Sequence, residues 1–157
     1  MDFDAQIQLL IDNAPQDGIT PQLVAAIAPA LTAIANKLRN FQYYILQNLD
    51  GGWVVTTLSN RANPTQEKRV IYAFPRLQDV PANSSAGLDP QVIAAPILVI
   101  HILFQLVALE PVDSIVFFET PGTTTNTVEV VRTELQSLIQ LYLKENQSRD
   151  RIPPDIA

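Results

Sequence analysis

Cysteine is absent from the 157-residue chain, and histidine occurs once. The first absence excludes a disulfide framework, an Fe–S cluster, a thiolate zinc site and a cysteine nucleophile. The second excludes any metal centre or catalytic arrangement that needs two imidazoles. No metal and no cofactor is predicted; the one exception the chemistry leaves is an all-oxygen Mg²⁺ or Ca²⁺ site. Charged residues are scarce, at 17% against the ~25% of an average domain. With 47% hydrophobic residues, that balance is the opposite of a disordered chain. Lys and Arg number 10 against 16 Asp and Glu, a net charge of -6, so no nucleic-acid partner held by phosphate contacts is predicted. Glycine is scarce as well, with five residues. The run Thr120-Pro121-Gly122-Thr123-Thr124-Thr125 stands where a phosphate could bind, before an expected helix. It lacks the Gly-Lys-Ser/Thr end of a Walker loop and the spaced glycines of a dinucleotide fingerprint, so it reads as a plain connection.

The start, Met1-Asp2-Phe3-Asp4, is acidic, where a secretory signal needs a basic start and an apolar run. Val92 to Leu109 has about the length of a bilayer core, but Pro96, His101 and Gln105 interrupt it. It reads as buried core. A cytoplasmic protein without membrane contact is predicted. The length fits one domain, since domains run to roughly 100–200 residues.

Periodicity then places the elements. Phe3, Ile7, Leu10 and Ile11 fall at helical spacing. Thr20-Pro21 is an N-cap followed by proline at the first helical position. The stripe Leu23, Ile27, Leu31, Ile34, Leu38 follows, with Pro29 inside it predicting a kink or a split. Phe41 to Leu49 and Trp53 to Leu58 flank Asp50-Gly51-Gly52, which predicts a β-hairpin with positive φ angles at the glycines. Arg69 to Phe74 alternates as a third strand, completing an antiparallel meander. Asp89-Pro90 is an N-cap followed by proline at the first helical position, and Pro96 soon interrupts; Ile97 to Leu109 then reads as a helix buried on most sides, or as a strand leading into a helix. Ser114 to Phe118 is the fourth strand. Asn126 and Glu129 form a capping-box-like start for a long amphipathic helix over Thr127 to Glu145. Residues 146–157, with Pro153-Pro154, read as a tail outside a single domain at 1–145. The fold class is α+β: an antiparallel sheet of about four strands with helices packed mainly on one face.

Candidate functional residues are few. His101 and Gln105 stand four apart and can share a helix face. They read either as a polar pair lining a pocket or as a core histidine satisfied by a neighbour, the commoner case. Glu110, Asp113 and Glu119 flank the fourth strand, and nothing in their spacing brings two of them onto one bond; they read as element-end charges in water. Arg61, Lys68, Arg69 and Arg76 read as a patch for an acidic partner or as a solvated edge that resists edge-to-edge pairing. The aromatics of the meander carry more. Tyr43 and Tyr44 are adjacent, so a strand sends them to opposite faces. With Trp53 and Tyr72 they are the candidate interface residues, because aromatics are enriched at interfaces. Helices on both sheet faces are the alternative.

This succession resembles the N-terminal domain of SseB-type proteins. The matching pieces are Tyr43 to Phe74, Val99-Ile100-His101-Ile102-Leu103 leading into Asp113 to Phe118, and the Pro121-Gly122 turn. Phe74-Pro75 departs from the Phe-Thr that commonly ends the family's third strand. The resemblance implies leading helices, a strand meander, a helix, a strand and a last helix, and it supplies no catalytic residues. The function predicted is a non-enzymatic cytoplasmic protein-interaction or regulatory domain, with a protein partner or a second copy of itself in a homodimer. The alternative is a small-ligand binder or an enzyme with a pocket near His101.

Overall fold

Two aspartates open the first helices. In the computed structural model, which describes residues 2–15, 17–59, 62, 65–80, 92–123 and 125–150 with side chains as far as 144, Asp2 Oδ1 accepts the Ala5 amide at 2.8 Å and starts α1 (Phe3–Asn13). Before α2 (Thr20–Ala35), the Asp17 carboxylate accepts the amides of Ile19 and Thr20 and the Thr20 hydroxyl at 2.7–2.9 Å. Asp17, not Thr20, is therefore the capping side chain, and these donors hold its carboxyl down to about 2. Pro29 does not split α2, which runs through it. The carbonyl that loses its helical partner belongs to Ala25, and Ala25 and Pro29 both line an open groove with Ile7 and Tyr142.

The sheet corrects the sequence expectation. It has six strands, not about four: β1 (Gln42–Asn48), β2 (Thr56–Ser59), β3 (Glu67–Phe74), β4 (Val92–Leu98), β5 (Ser114–Phe118) and β6 (Thr127–Val131). The order is β4-β1-β3-β5-β6, with β2 also on β3. It is mixed, not antiparallel, because β3 and β5 pair in parallel from Val70↔Ser114 to Ala73↔Phe117. A parallel neighbour needs a long crossover, and α3 (Val99–Ala108) is the helix of that crossover, between β4 and β5.

Two strands stand where helix was the first reading. Asp89-Pro90 and Pro96 suggested an interrupted helix, but the alternative, a strand leading into a helix, is what forms: Val92–Leu98 pairs along its whole length with β1, and α3 follows at Val99. It is an edge strand, where a proline is tolerated because one side needs no donor. Thr127–Val131 also suggested helix through Val128 and Val131. The operative period is two: Val128 and Val130 pack toward the core while Glu129 faces the other way. The helix α4 begins only at Arg132 and continues to Asp150, past the expected start of the tail. Residues 151–157, Arg61 and Asp89-Pro90 lie outside the described residues.

The expected hairpin reduces to its turn. Gly51 takes φ +85°, and Asn48 Oδ1 accepts the amides of Asp50 and Gly52 at 3.1 and 2.9 Å. Pairing back onto β1 stops after the Gln47–Trp53 bridge and the Val54 N–Leu46 O bond. The chain then swings onto β3. There β1 covers the C-terminal half (Tyr44↔Phe74) and β2 the N-terminal half (Thr56↔Val70) of one edge. Gly51→Ala is expected to cost about 1 kcal/mol, the steric penalty of a left-handed residue, read from the urea midpoint. A parent-like midpoint would contradict that turn.

One face of the sheet supplies Tyr43, Ile45, Ile71, Ala73, Ile115, Phe117 and Val130 to a cluster shared with Leu31 of α2, Ile100 and Leu103 of α3, and Leu135 and Ile139 of α4. Phe3, Ile7 and Leu10 of α1 pack against it. The four described α-helices therefore lie on this face. Gln6 ties them together. It is fully buried; its Oε1 accepts the Ile100 amide at 2.9 Å and its Nε2 donates to the Phe41 carbonyl at 3.1 Å. Because α3 has no cap from its own N-cap residue, Gln6 caps it from the far end of the sequence.

Candidate functional site

Alternation decides what the opposite face carries. Residues paired across strands point the same way, so Tyr44 shares a face with Phe74 and Pro96, Leu46 with Ala94, Tyr72 with Val116, Val116 with Glu129, and Phe118 with Thr127. None of these joins the helix-side cluster. Tyr72 stacks on Phe118 at 5.7 Å, and Phe118 stacks on Phe74 at 5.1 Å with ring planes 14° apart. Phe74 is buried, while Tyr44, Leu46, Tyr72, Val116 and Phe118 stay half-buried. A row of apolar side chains therefore crosses β1, β3 and β5 on the side away from the helices.

The charges of this face are internally matched. By the same alternation, its charged side chains on the six strands are Lys68 and Glu129. They form an ion pair, and the Ser114 hydroxyl donates to Glu129 at 2.6 Å. Lys68, then Ser114, hold the Glu129 carboxyl below the usual carboxylate range. Arg76 engages Asp79 through Nε and Nη2 at 3.1 and 3.0 Å, and Asp79 also accepts the Gly122 amide at 2.8 Å. Arg69 falls on the helix side by alternation with Ile71. The basic residues named from sequence therefore form no single patch among the described residues.

The four sequence-named aromatics divide by face. Tyr44 and Tyr72 are on the open side. Tyr43 is fully buried on the helix side, its ring against Phe117 at 4.9 Å. Trp53 packs against the same core cluster. Phe118, Val116 and Leu46 are open-face residues that sequence reasoning missed; the signal available was the alternation within Ser114 to Phe118, once the inward parity was known.

His101 and Gln105 are not brought together. Gln105 is exposed, whereas His101 is half-buried and its Nε2 meets the Gln6 carbonyl at 3.2 Å. Burial holds the imidazole below its ordinary value, partly offset by that hydrogen bond. An unfolded histidine takes up its proton near pH ~6.5; the folded one resists it. Stability is thus expected to fall as pH drops below that point. A lower melting temperature at about pH 5.5 than at about pH 7.5, with the difference reduced in His101→Gln, is the result that checks this.

At the end of β5, Glu119 is 5% exposed. Its Oε1 accepts the Tyr43 hydroxyl, and its Oε2 accepts the Arg39 amide at 2.7 Å. Burial, then the Glu119 carboxylate, push the Tyr43 phenol far up, so it remains a protonated donor. Among the described residues, no group of three or more His, Asp or Glu could hold a metal ion, and no helix is long and apolar enough to cross a membrane. No protein-family model matches the chain, and no curated protein matches it in sequence.

Proposed function

We propose that this α+β chain is a non-enzymatic, self-associating protein-interaction module of the cytoplasm, and that its contact surface is the face of the sheet opposite the described helices. One observation carries the reading: that face presents Tyr44, Leu46, Tyr72, Val116 and Phe118 half-buried, and its charged pair is already neutralised within the chain. The occupant is a second copy. Burying the face against itself strands no lone charge, the usual reason a surface resists burial. Its size is adequate. Five strands about 4.8 Å apart and up to ~25 Å long give a footprint near 20 by 25 Å. Two copies would remove on the order of 1,000 Å² from water, the threshold for a specific contact. Face-to-face sheets ~10 Å apart are a standard sandwich, and a two-fold contact closes without leaving a free copy of the surface. Kinship with the SseB-type N-terminal domain belongs to the same proposal, resting on Val99 to Leu103 leading toward β5 and on the Pro121-Gly122 turn after it.

The cysteine-free sequence makes a direct test possible. Val116→Cys places a single thiol on the face, and Gln105→Cys places one on the exposed side of α3. With a bis-maleimide cross-linker about 10 Å long, the separation of facing sheets, Val116→Cys is expected to form a cross-linked dimer at least ~10 times faster than Gln105→Cys, the effect of a raised local concentration. Equal rates for the two variants would count against the sheet face.

A further inference from the structure

The corner between the α2–β1 connection and the β5–β6 turn holds an imbalance of charge that the sheet-face contact does not use. Glu119 is 5% exposed, and among the described residues no lysine, arginine or histidine pairs with it. Its two hydrogen bonds come from neutral donors, the Tyr43 hydroxyl and the Arg39 amide. Removing a carboxylate from water is expensive without a countercharge. Lys37 and Arg39 line the same cavity of about 390 Å³, together with Thr125, Asn126 and Thr127. Both cations are exposed, and neither forms an ion pair among the described residues. The corner also lies just beyond the C-terminal end of β5, a parallel strand, where open sheets commonly bind ligands.

The sign of charge narrows the occupant. A simple anion would be drawn by Lys37 and Arg39 but would sit over the Glu119 carboxylate. A simple cation would meet Glu119 but pass two positive side chains. A molecule carrying both charges a short distance apart satisfies each group. We propose that this cavity binds a small zwitterion of the α-amino-acid type, its ammonium on Glu119 and its carboxylate between Lys37 and Arg39. Tyr43 and the Arg39 amide then act as positioning groups that hold the carboxylate in place, and the Thr125–Thr127 segment supplies hydroxyl and amide partners for the rest of the ligand.

The test is an amide-resolved NMR titration of the full chain with glycine and L-alanine, with acetate and methylammonium as single-charge controls. Glycine is expected to shift the Arg39, Asn126 and Thr127 amides, and each control to bind at least ~10-fold more weakly, the worth of one charge-assisted contact. Glu119→Gln removes the anion while keeping the side chain's size. Lys37→Ala with Arg39→Ala removes both cations from exposed positions and keeps the Arg39 amide. Each is expected to weaken glycine by ~10-fold or more. If Glu119→Gln fails to fold, the double variant decides. Acetate or methylammonium binding as tightly as glycine would overturn the proposal. So would parent-like glycine affinity in the double variant, or the absence of any shift at these amides.

Discussion

Gln6→Ala is expected to lower stability by about 2–4 kcal/mol, combining one stranded buried amide with the loss of packed atoms. The amide is that of Ile100, which Gln6 Oε1 accepts at 2.9 Å in a fully buried setting. The Phe41 carbonyl suffers less, because it retains the Val99 amide at 2.8 Å. Gln6→Glu separates the two roles of the side chain. Its second oxygen would face the Phe41 carbonyl where Nε2 now donates, and at neutral pH a charge would be buried without a partner. Its loss is expected to exceed that of Gln6→Ala at pH ~7 and to shrink as the pH falls toward the carboxyl range. Urea denaturation with an unchanged slope would measure both. Parent-like midpoints would mean that α1 is not fastened to the start of α3.

Tyr72→Lys is expected to raise the dimer dissociation constant at least ~100-fold while leaving the monomer folded. A two-fold contact counts each substitution twice, and an unpaired ammonium at the centre of an apolar contact costs more than 1.4 kcal/mol per copy, about tenfold each. The fold tolerates the change because Tyr72 is half-buried on the side away from the helices. Ile45→Lys, on the neighbouring strand, is expected to do the reverse and unfold the chain. It would place an unpaired ammonium in the fully buried cluster on the helix side. Circular dichroism and sedimentation on the two variants together would show whether the faces have these opposite roles.

What the sequence could tell depended on how local the determining contacts are. Ser114 to Phe118 shows its strand in five residues, and the Asp50-Gly51-Gly52 turn is visible because positive φ at Gly51 is a local demand. Only Gly51 of that pair needs it; Gly52 is instead limited by Asn48, whose side chain a Cβ would approach to 3.1 Å. The strand Val92–Leu98 was legible only as the alternative to a helix, because its proline signals a helix boundary, and only β1 alongside reveals an edge position. In Thr127–Val131, Val128 satisfies a helical and a strand period alike, and the short run holds too few residues to separate them. The parallel β3–β5 pair follows from a crossover that no local pattern encodes.

The candidate site divides in the same way. That Tyr43 and Tyr44 oppose each other follows from strand geometry alone, but which one faces the helices depends on pairing with Phe74 and Pro96, far along the chain. Glu119 reads as a strand-end charge in water until Tyr43, 76 residues away, is seen to bond it. His101 and Gln105 share helical spacing, yet the partner of His101 is Gln6 of α1.

The mass of the parent chain in solution, followed by sedimentation equilibrium over a dilution series, tests the central claim most directly. A dimer at high micromolar concentration that dissociates on dilution, and a Tyr72→Lys chain that stays monomeric throughout, is the predicted result. A parent chain that remains a monomer at every concentration would contradict self-association through the open sheet face.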